Sequence, residues 1–183
     1  GYRTYGKGGA ISNNHVLTIT NSSFSNNLAS AGGSIINQGH LTIRNSTFVG
    51  NVTSTGGWGG TEGGAIFNTA ILTVTNSTFS ANRSLGDLSL SSGGGIANEG
   101  TLWIYNSTFH NNWVTRRSID DEPMGSSLNN TGILHLYNTI IANTVDGADC
   151  RGDLATNINN LIEDGSCGAT LSGDPILGPL VDY

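Results

Sequence analysis

Gly63-Gly64-Ala65-Ile66-Phe67-Asn68-Thr69-Ala70-Ile71-Leu72-Thr73-Val74-Thr75-Asn76-Ser77-Thr78-Phe79-Ser80-Ala81-Asn82 is one of five copies of a unit that builds the chain. The other copies begin at Gly8, Gly32, Gly93 and Gly125, so successive starts lie 24, 31, 30 and 32 residues apart. Self-similarity at a period of this size marks a solenoid, in which each unit buries its apolar face only against its neighbours.

Alignment of the copies exposes four apolar columns. They are Ile11/Ile35/Ile66/Ile96/Leu128, Leu17/Leu41/Leu72/Leu102/Leu134, Ile19/Ile43/Val74/Ile104/Leu136 and Phe24/Phe48/Phe79/Phe109/Ile141. Leu72 and Val74 are two apart, with Thr73 and Thr75 between them, which is the periodicity of a strand with one face buried. Nothing repeats at helical spacing. Two further columns are asparagine in every copy: Asn13, Asn37, Asn68, Asn98, Asn130 and Asn21, Asn45, Asn76, Asn106, Asn138. Asparagine tolerates left-handed backbone and can hydrogen-bond to its own kind along a stack. Both columns are therefore expected at corners, as ladders running from coil to coil. The glycine pair that opens each unit serves another corner or a close approach of backbones.

Short strands, recurrent corners and same-residue ladders specify an all-β fold: a single-stranded parallel β-helix of the pectate-lyase-like solenoid type. Crossover handedness favours the right-handed form. Each coil adds about 4.8 Å, so five coils make a stub about 25 Å tall. Residues 1–183 read as one domain. Residues 1–7 are a lead-in, 8–144 carry the five repeats, and 145–183 form irregular terminal coils that cap the end.

The pairing of GGAI with FxxN (Phe24 to Asn27, Phe48 to Asn51, Phe79 to Asn82, Phe109 to Asn112) resembles the repeat of the polymorphic outer membrane proteins. It is also similar to bacterial surface-exposed β-helix proteins with LTVTNSTFSGN-like coils, and the segments Asp164–Gly168 and Asp174–Leu180 are similar to the end of the β-helix in that group. The fifth copy departs from the pattern with Ile141 and Thr144. The resemblance implies a bacterial surface location and a role in adhesion.

Charged residues are 11% of the chain, net charge is −6 and the isoelectric point is about 4.9. With no basic stripe, nucleic acid and anionic lipid are disfavoured as partners. No apolar run is long enough to insert in a membrane. Cys150 and Cys167 are the only cysteines. A disulfide between them would close a short loop, contribute about 3 kcal/mol and require an oxidising, extracytoplasmic location; a reduced cytoplasmic thiol pair is the alternative. The chain reads as a mature or excised portion of a longer secreted or surface protein.

Three insertions, 52–62, 83–92 and 113–124, fall at the same place in the repeat and are expected to stack along one edge. The third carries Arg116, Arg117, Asp120, Asp121 and Glu122 and reads as a solvated loop. The outward strand positions are mainly threonine in the first three coils but become Trp103, Tyr105, His135 and Tyr137 in the last two. With Trp58 and Trp113 in the insertions, these form the candidate surface for a glycan or a protein partner. No catalytic residues are assigned, because no repeat column contains Asp or Glu and glycoside chemistry needs facing carboxylates. Asp146, Asp149 and Asp153 form a weak Ca²⁺ candidate; no other cofactor is implied, and the four histidines occupy four different repeat positions. The expected role is non-catalytic: a rigid extracellular rod that displays an adhesive or assembly surface to itself, end to end, or to a host or matrix protein or glycan. The alternatives are a polysaccharide lyase or hydrolase, and a carbohydrate-binding module.

Overall fold

In the computed structural model, residues 6–55, 61–86, 91–115 and 124–178 are described. Each repeat contributes one strand to each of three parallel six-stranded sheets. The first sheet stacks Ile11–Asn13, Ile35–Asn37, Ile66–Asn68, Ile96–Asn98, Gly125–Asn130 and Ala148–Arg151. The second stacks Val16–Thr20, His40–Arg44, Ile71–Thr75, Thr101–Tyr105, Ile133–Tyr137 and Thr156–Ile158. The third runs from Ser23–Ser25 through Thr47–Val49, Thr78–Ser80, Thr108–His110 and Ile140–Ala142 to Leu161–Ile162. The terminal segment thus adds a sixth coil that continues all three sheets, although its sequence has left the repeat.

The four apolar columns are in register across every rung. They form one continuous core. Phe24, Phe48, Phe79 and Phe109 stack within it at 4.6–4.9 Å, with ring planes within 4° of parallel. Rung spacing sets that distance, and like residues at like positions allow the rings to overlap.

The two asparagine columns turn out to differ. Asn21, Asn45, Asn76, Asn106 and Asn138 have φ of 48–50° and occupy left-handed corners as expected. Their ladder is exposed, with side-chain bonds of 3.0–3.3 Å. Asn13, Asn37, Asn68, Asn98 and Asn130 also stand at a corner, between the first and second sheets, but their backbone is not left-handed. They are buried, and each Nδ2 donates to the Oδ1 of the next at 2.7–2.8 Å. The same Nδ2 also reaches the carbonyl two residues on, closing the turn. The reason for asparagine here is therefore its carboxamide rather than its backbone tolerance. A third ladder, Asn27, Asn51, Asn82 and Asn112, lies at the end of the FxxN motif, again with Nδ2 donating to the next Oδ1 at 2.8–2.9 Å.

At Gly63 the backbone is left-handed, with φ of 65°, and at Gly64 an added Cβ would lie 2.3 Å from the Gly94 carbonyl oxygen of the next coil. The first glycine makes the corner and the second allows the approach. The insertions start as strands rather than loops. Val52–Thr55, Arg83–Gly86 and Trp113–Val114 join Leu28–Ala29 in a fourth parallel sheet, and Thr61–Glu62 pairs with Ser91–Ser92. Their middles, which include Trp58 and the charged group Arg116, Arg117, Asp120, Asp121 and Glu122, lie outside the described residues.

Cys150 and Cys167 form a disulfide, with Cα atoms 5.6 Å apart. It ties the sixth coil to a segment that folds back over it: Ile162 N–H donates to the Leu171 carbonyl, Leu171 N–H to that of Asn160, and Gly173 N–H to that of Glu163. Backbone groups that a seventh coil would otherwise pair are thereby satisfied within the chain.

Asn68→Ala should leave the buried Asn98 oxygen without its carboxamide donor, while the Asn37 amide keeps the Gly39 and Ile71 carbonyls, and cost about 1–3 kcal/mol in urea unfolding. Asn76→Gly keeps the left-handed corner and should change stability by less than about 1 kcal/mol. Equal losses in the two variants would contradict the division between a buried and an exposed ladder.

Candidate functional site

The outward positions of the second sheet follow from strand alternation: Leu102, Ile104, Leu134 and Leu136 point inward, so Trp103, Tyr105, His135 and Tyr137 point out. Pairing in register places Trp103 beside His135 and Tyr105 beside Tyr137. The Trp103 and His135 rings are stacked at 5.3 Å with planes 3° apart, and the two tyrosines at 4.8 Å and 12°. Parallel rings this close overlap face to face, because rings lying side by side in one plane would collide. Each pair contributes about 0.5–1.5 kcal/mol beyond its buried area. The consequence is directional: ring faces are largely turned toward one another, and a partner meets ring edges.

The patch is extended by Ile133 and Ile158, which are 51% and 46% exposed. His135 Nδ1 lies 2.8 Å from Thr156 Oγ1 of the sixth coil, which fixes the ring against the next rung. Along the same face the earlier coils carry Thr18, Thr42, Thr73 and Thr20, Arg44, Thr75. One flat sheet face is therefore polar at one end and aromatic at the other.

The sheets, corners and ladders agree with a family model: the right-handed beta helix region matches residues 8–175. The chain belongs to the right-handed β-helix family. Comparison with curated proteins and with solved structures finds no match.

On this right-handed β-helix the remaining candidates fall elsewhere. Trp113 is in the fourth sheet, where the Arg83 guanidinium sits 5.4 Å from its ring centroid. It is not part of the patch on the second sheet. Asp146 and Asp153 are exposed and Asp149 is buried; among the described residues no group of three or more His, Cys, Asp or Glu is arranged to hold a metal ion. Asp149 instead braces the terminal coil. It accepts from the Thr144 hydroxyl at 2.7 Å and from the Asp164 N–H at 3.1 Å, while its own N–H donates to the Asp164 carboxylate at 2.9 Å. Thr144 is where the FxxN motif loses its last asparagine, so the departure from the repeat marks the start of the terminal brace.

Sequence reasoning missed one grouping. Glu62, Glu99, Asn129 and Arg151 come together on the outer face of the first sheet, around a groove floored by Phe67 and Ala97. Glu62 lies in an insertion, Glu99 in a corner and Arg151 in the sixth coil, so no repeat column signals it. The repeat alignment already puts Phe67, Ala97 and Asn129 in one column, and Arg151 joins it only with the pairing known.

Burial holds the Asp149 carboxyl above its ordinary value of 3.8; the Thr144 hydroxyl and Asp164 N–H oppose this, and the nearby Asp164 and Glu163 charges add to it. A carboxyl raised on folding binds more protons in the folded than in the unfolded state, so its contribution weakens as pH rises above the unfolded value. Relative to an Asp149→Asn variant, the native chain should lose stability as pH is raised from about 4 toward neutrality. Urea midpoints measured in parallel across that interval test this; curves that stay parallel would refute it.

Proposed function

We propose that this right-handed β-helix is a non-catalytic display segment of a bacterial extracellular or surface-anchored protein, and that its aromatic face on the fourth to sixth coils docks a host or matrix protein. The observation that carries this reading is the in-register pairing of Trp103 with His135 and of Tyr105 with Tyr137 on an outward sheet face. Aromatics on a rigid backbone supply contact area at small entropic cost, and such residues dominate interface energetics. The Cys150–Cys167 disulfide suggests a non-cytoplasmic environment, and no helix among the described residues is long and apolar enough to cross a membrane. The GGAI and FxxN repeats support kinship with the polymorphic outer membrane proteins.

Two observations favour a protein partner over the other occupants. Rings stacked face to face along the sheet do not form the coplanar platform on which sugar rings lie. The segment folded over the sixth coil already occupies backbone groups that end-to-end stacking of copies would need.

The test is surface plasmon resonance of the chain over immobilised matrix proteins and glycans, with a Trp103→Ala/Tyr105→Ala variant alongside. Saturable binding to a protein, weakened at least about 30-fold in the variant with its melting curve preserved, is the expected outcome. Unchanged binding in the variant would remove the aromatic face from the reading. Turnover of uronates or other polysaccharides would replace it with an enzymatic one.

A further inference from the structure

The charge around the aromatic face differs from that of the rest of the chain. Asp and Glu outnumber Lys and Arg by 13 to 7, yet none of the twelve strands of the second and third sheets contains either acid. The corner between these sheets, which carries the exposed asparagine ladder, has none either. The described carboxylates lie elsewhere. Glu62 and Glu99 border the groove outside the first sheet, and Asp149, Glu163 and Asp164 gather at the terminal brace. Glu99 and Asp153 stand before the starts of strands in the second sheet, whereas Tyr105 and Ile158 end those strands. The strand Thr101–Tyr105 spans about 13 Å, more than the Debye length of about 8 Å at physiological salt.

One outward column of the second sheet runs Thr20, Arg44, Thr75, Tyr105, Tyr137 and Ile158. Arg44 is exposed, and among the described residues its guanidinium has neither a hydrogen bond nor an ion pair. By contrast, Arg83 lies over Trp113 and Arg151 touches Met124. The Tyr105 and Tyr137 hydroxyls and the Trp103 indole N–H are also without an acceptor among the described residues. The ring edges turned outward carry the positive side of the aromatic quadrupole. Guanidinium, hydroxyls, indole N–H and ring edges all seek oxygen, and no carboxylate stands among them.

We propose, on the footing that the aromatic face docks a protein, that the partner presents an acidic extended segment of about six residues along this column. Charge complementarity selects it. A carboxylate meets Arg44 in a bidentate pair, and further carboxylates or backbone carbonyls accept from the two tyrosine hydroxyls. At the far end an apolar side chain packs on Ile158 and Ile133, both of which are exposed. The lengths agree. Four rungs separate Arg44 from Ile158, about 19 Å at 4.8 Å each, and six extended residues span about 20 Å. A peptide offers a carbonyl at every residue and can carry an aliphatic side chain for the isoleucines, whereas a chain of uronates has no such apolar group.

The experiment is calorimetric titration of the full chain with an end-blocked hexapeptide of five glutamates and a leucine, its counterpart with glutamine for glutamate, and trigalacturonate. The glutamate peptide should bind saturably and about tenfold or more tighter than the glutamine peptide. Arg44→Gln should remove most of that difference and leave the glutamine peptide unchanged; the side chain is exposed, so folding is not at stake. Trp103→Ala/Tyr105→Ala should weaken both peptides. Equal affinity for the two peptides would overturn the proposal, as would a glutamate preference that survives Arg44→Gln. So would tighter binding of trigalacturonate, or the absence of saturable peptide binding up to about 10 mM. Matrix-protein docking that is lost in the Trp103→Ala/Tyr105→Ala variant while the two peptides bind alike would remove the acidic segment and leave the docking face. Peptide binding undiminished in that variant would remove both.

Discussion

Parallel pairing in register at one rung spacing is the constraint on which the rest of the molecule depends. It places each residue about 4.8 Å from its counterpart in the next coil, so every position meets its own kind. Few side chains gain from that arrangement. Phenylalanine does, because rings stack offset at such a distance, and Phe48, Phe79 and Phe109 are fully buried in a continuous column. Asparagine does as well, because one carboxamide donates and accepts, so Asn37, Asn68 and Asn98 each satisfy a neighbour on both sides. A charged residue would meet a like charge, and the interior columns contain none.

The same rule shapes the surface. Repeated threonine on the outer face of the second sheet gives a bland polar strip, whereas replacement by aromatics in two consecutive coils creates two stacked pairs at once. What distinguishes one coil from the next is departure from the repeat. The aromatic face is one departure. The loss of the FxxN asparagine at Thr144, which turns the ladder into the Asp149 brace, is another. Asn129 is a third, standing where the preceding coils have Phe67 and Ala97.

Stability and site geometry are coupled through this one-dimensional order. Each coil is held chiefly by the coils above and below it, so a ladder residue such as Asn68 supports both neighbours. The last coil has a neighbour on one side only, and its other side is served by the Cys150–Cys167 disulfide and the folded-back segment. That places a covalently braced end next to the aromatic face, whose last rung is Thr156 to Ile158.

The parallel β-helix, the identity of its core columns and the outward aromatics were legible in the residues alone. Each is a consequence of period and alternation, which are properties of the chain itself. Only the tertiary structure divided the asparagine columns into a buried carboxamide ladder and an exposed left-handed corner, since both look alike in an alignment. It turned the roots of the insertions into a fourth sheet, added a sixth coil from sequence that no longer repeats, and moved Trp113 away from the face that Trp103 occupies. It also joined Glu62, Glu99, Asn129 and Arg151 around one groove. The physical reason is common to all of these. Repetition in the sequence announces which residues face their equivalents, but contacts between non-equivalent residues depend on how the corners aim the chain, and that is set by the stacked coils together.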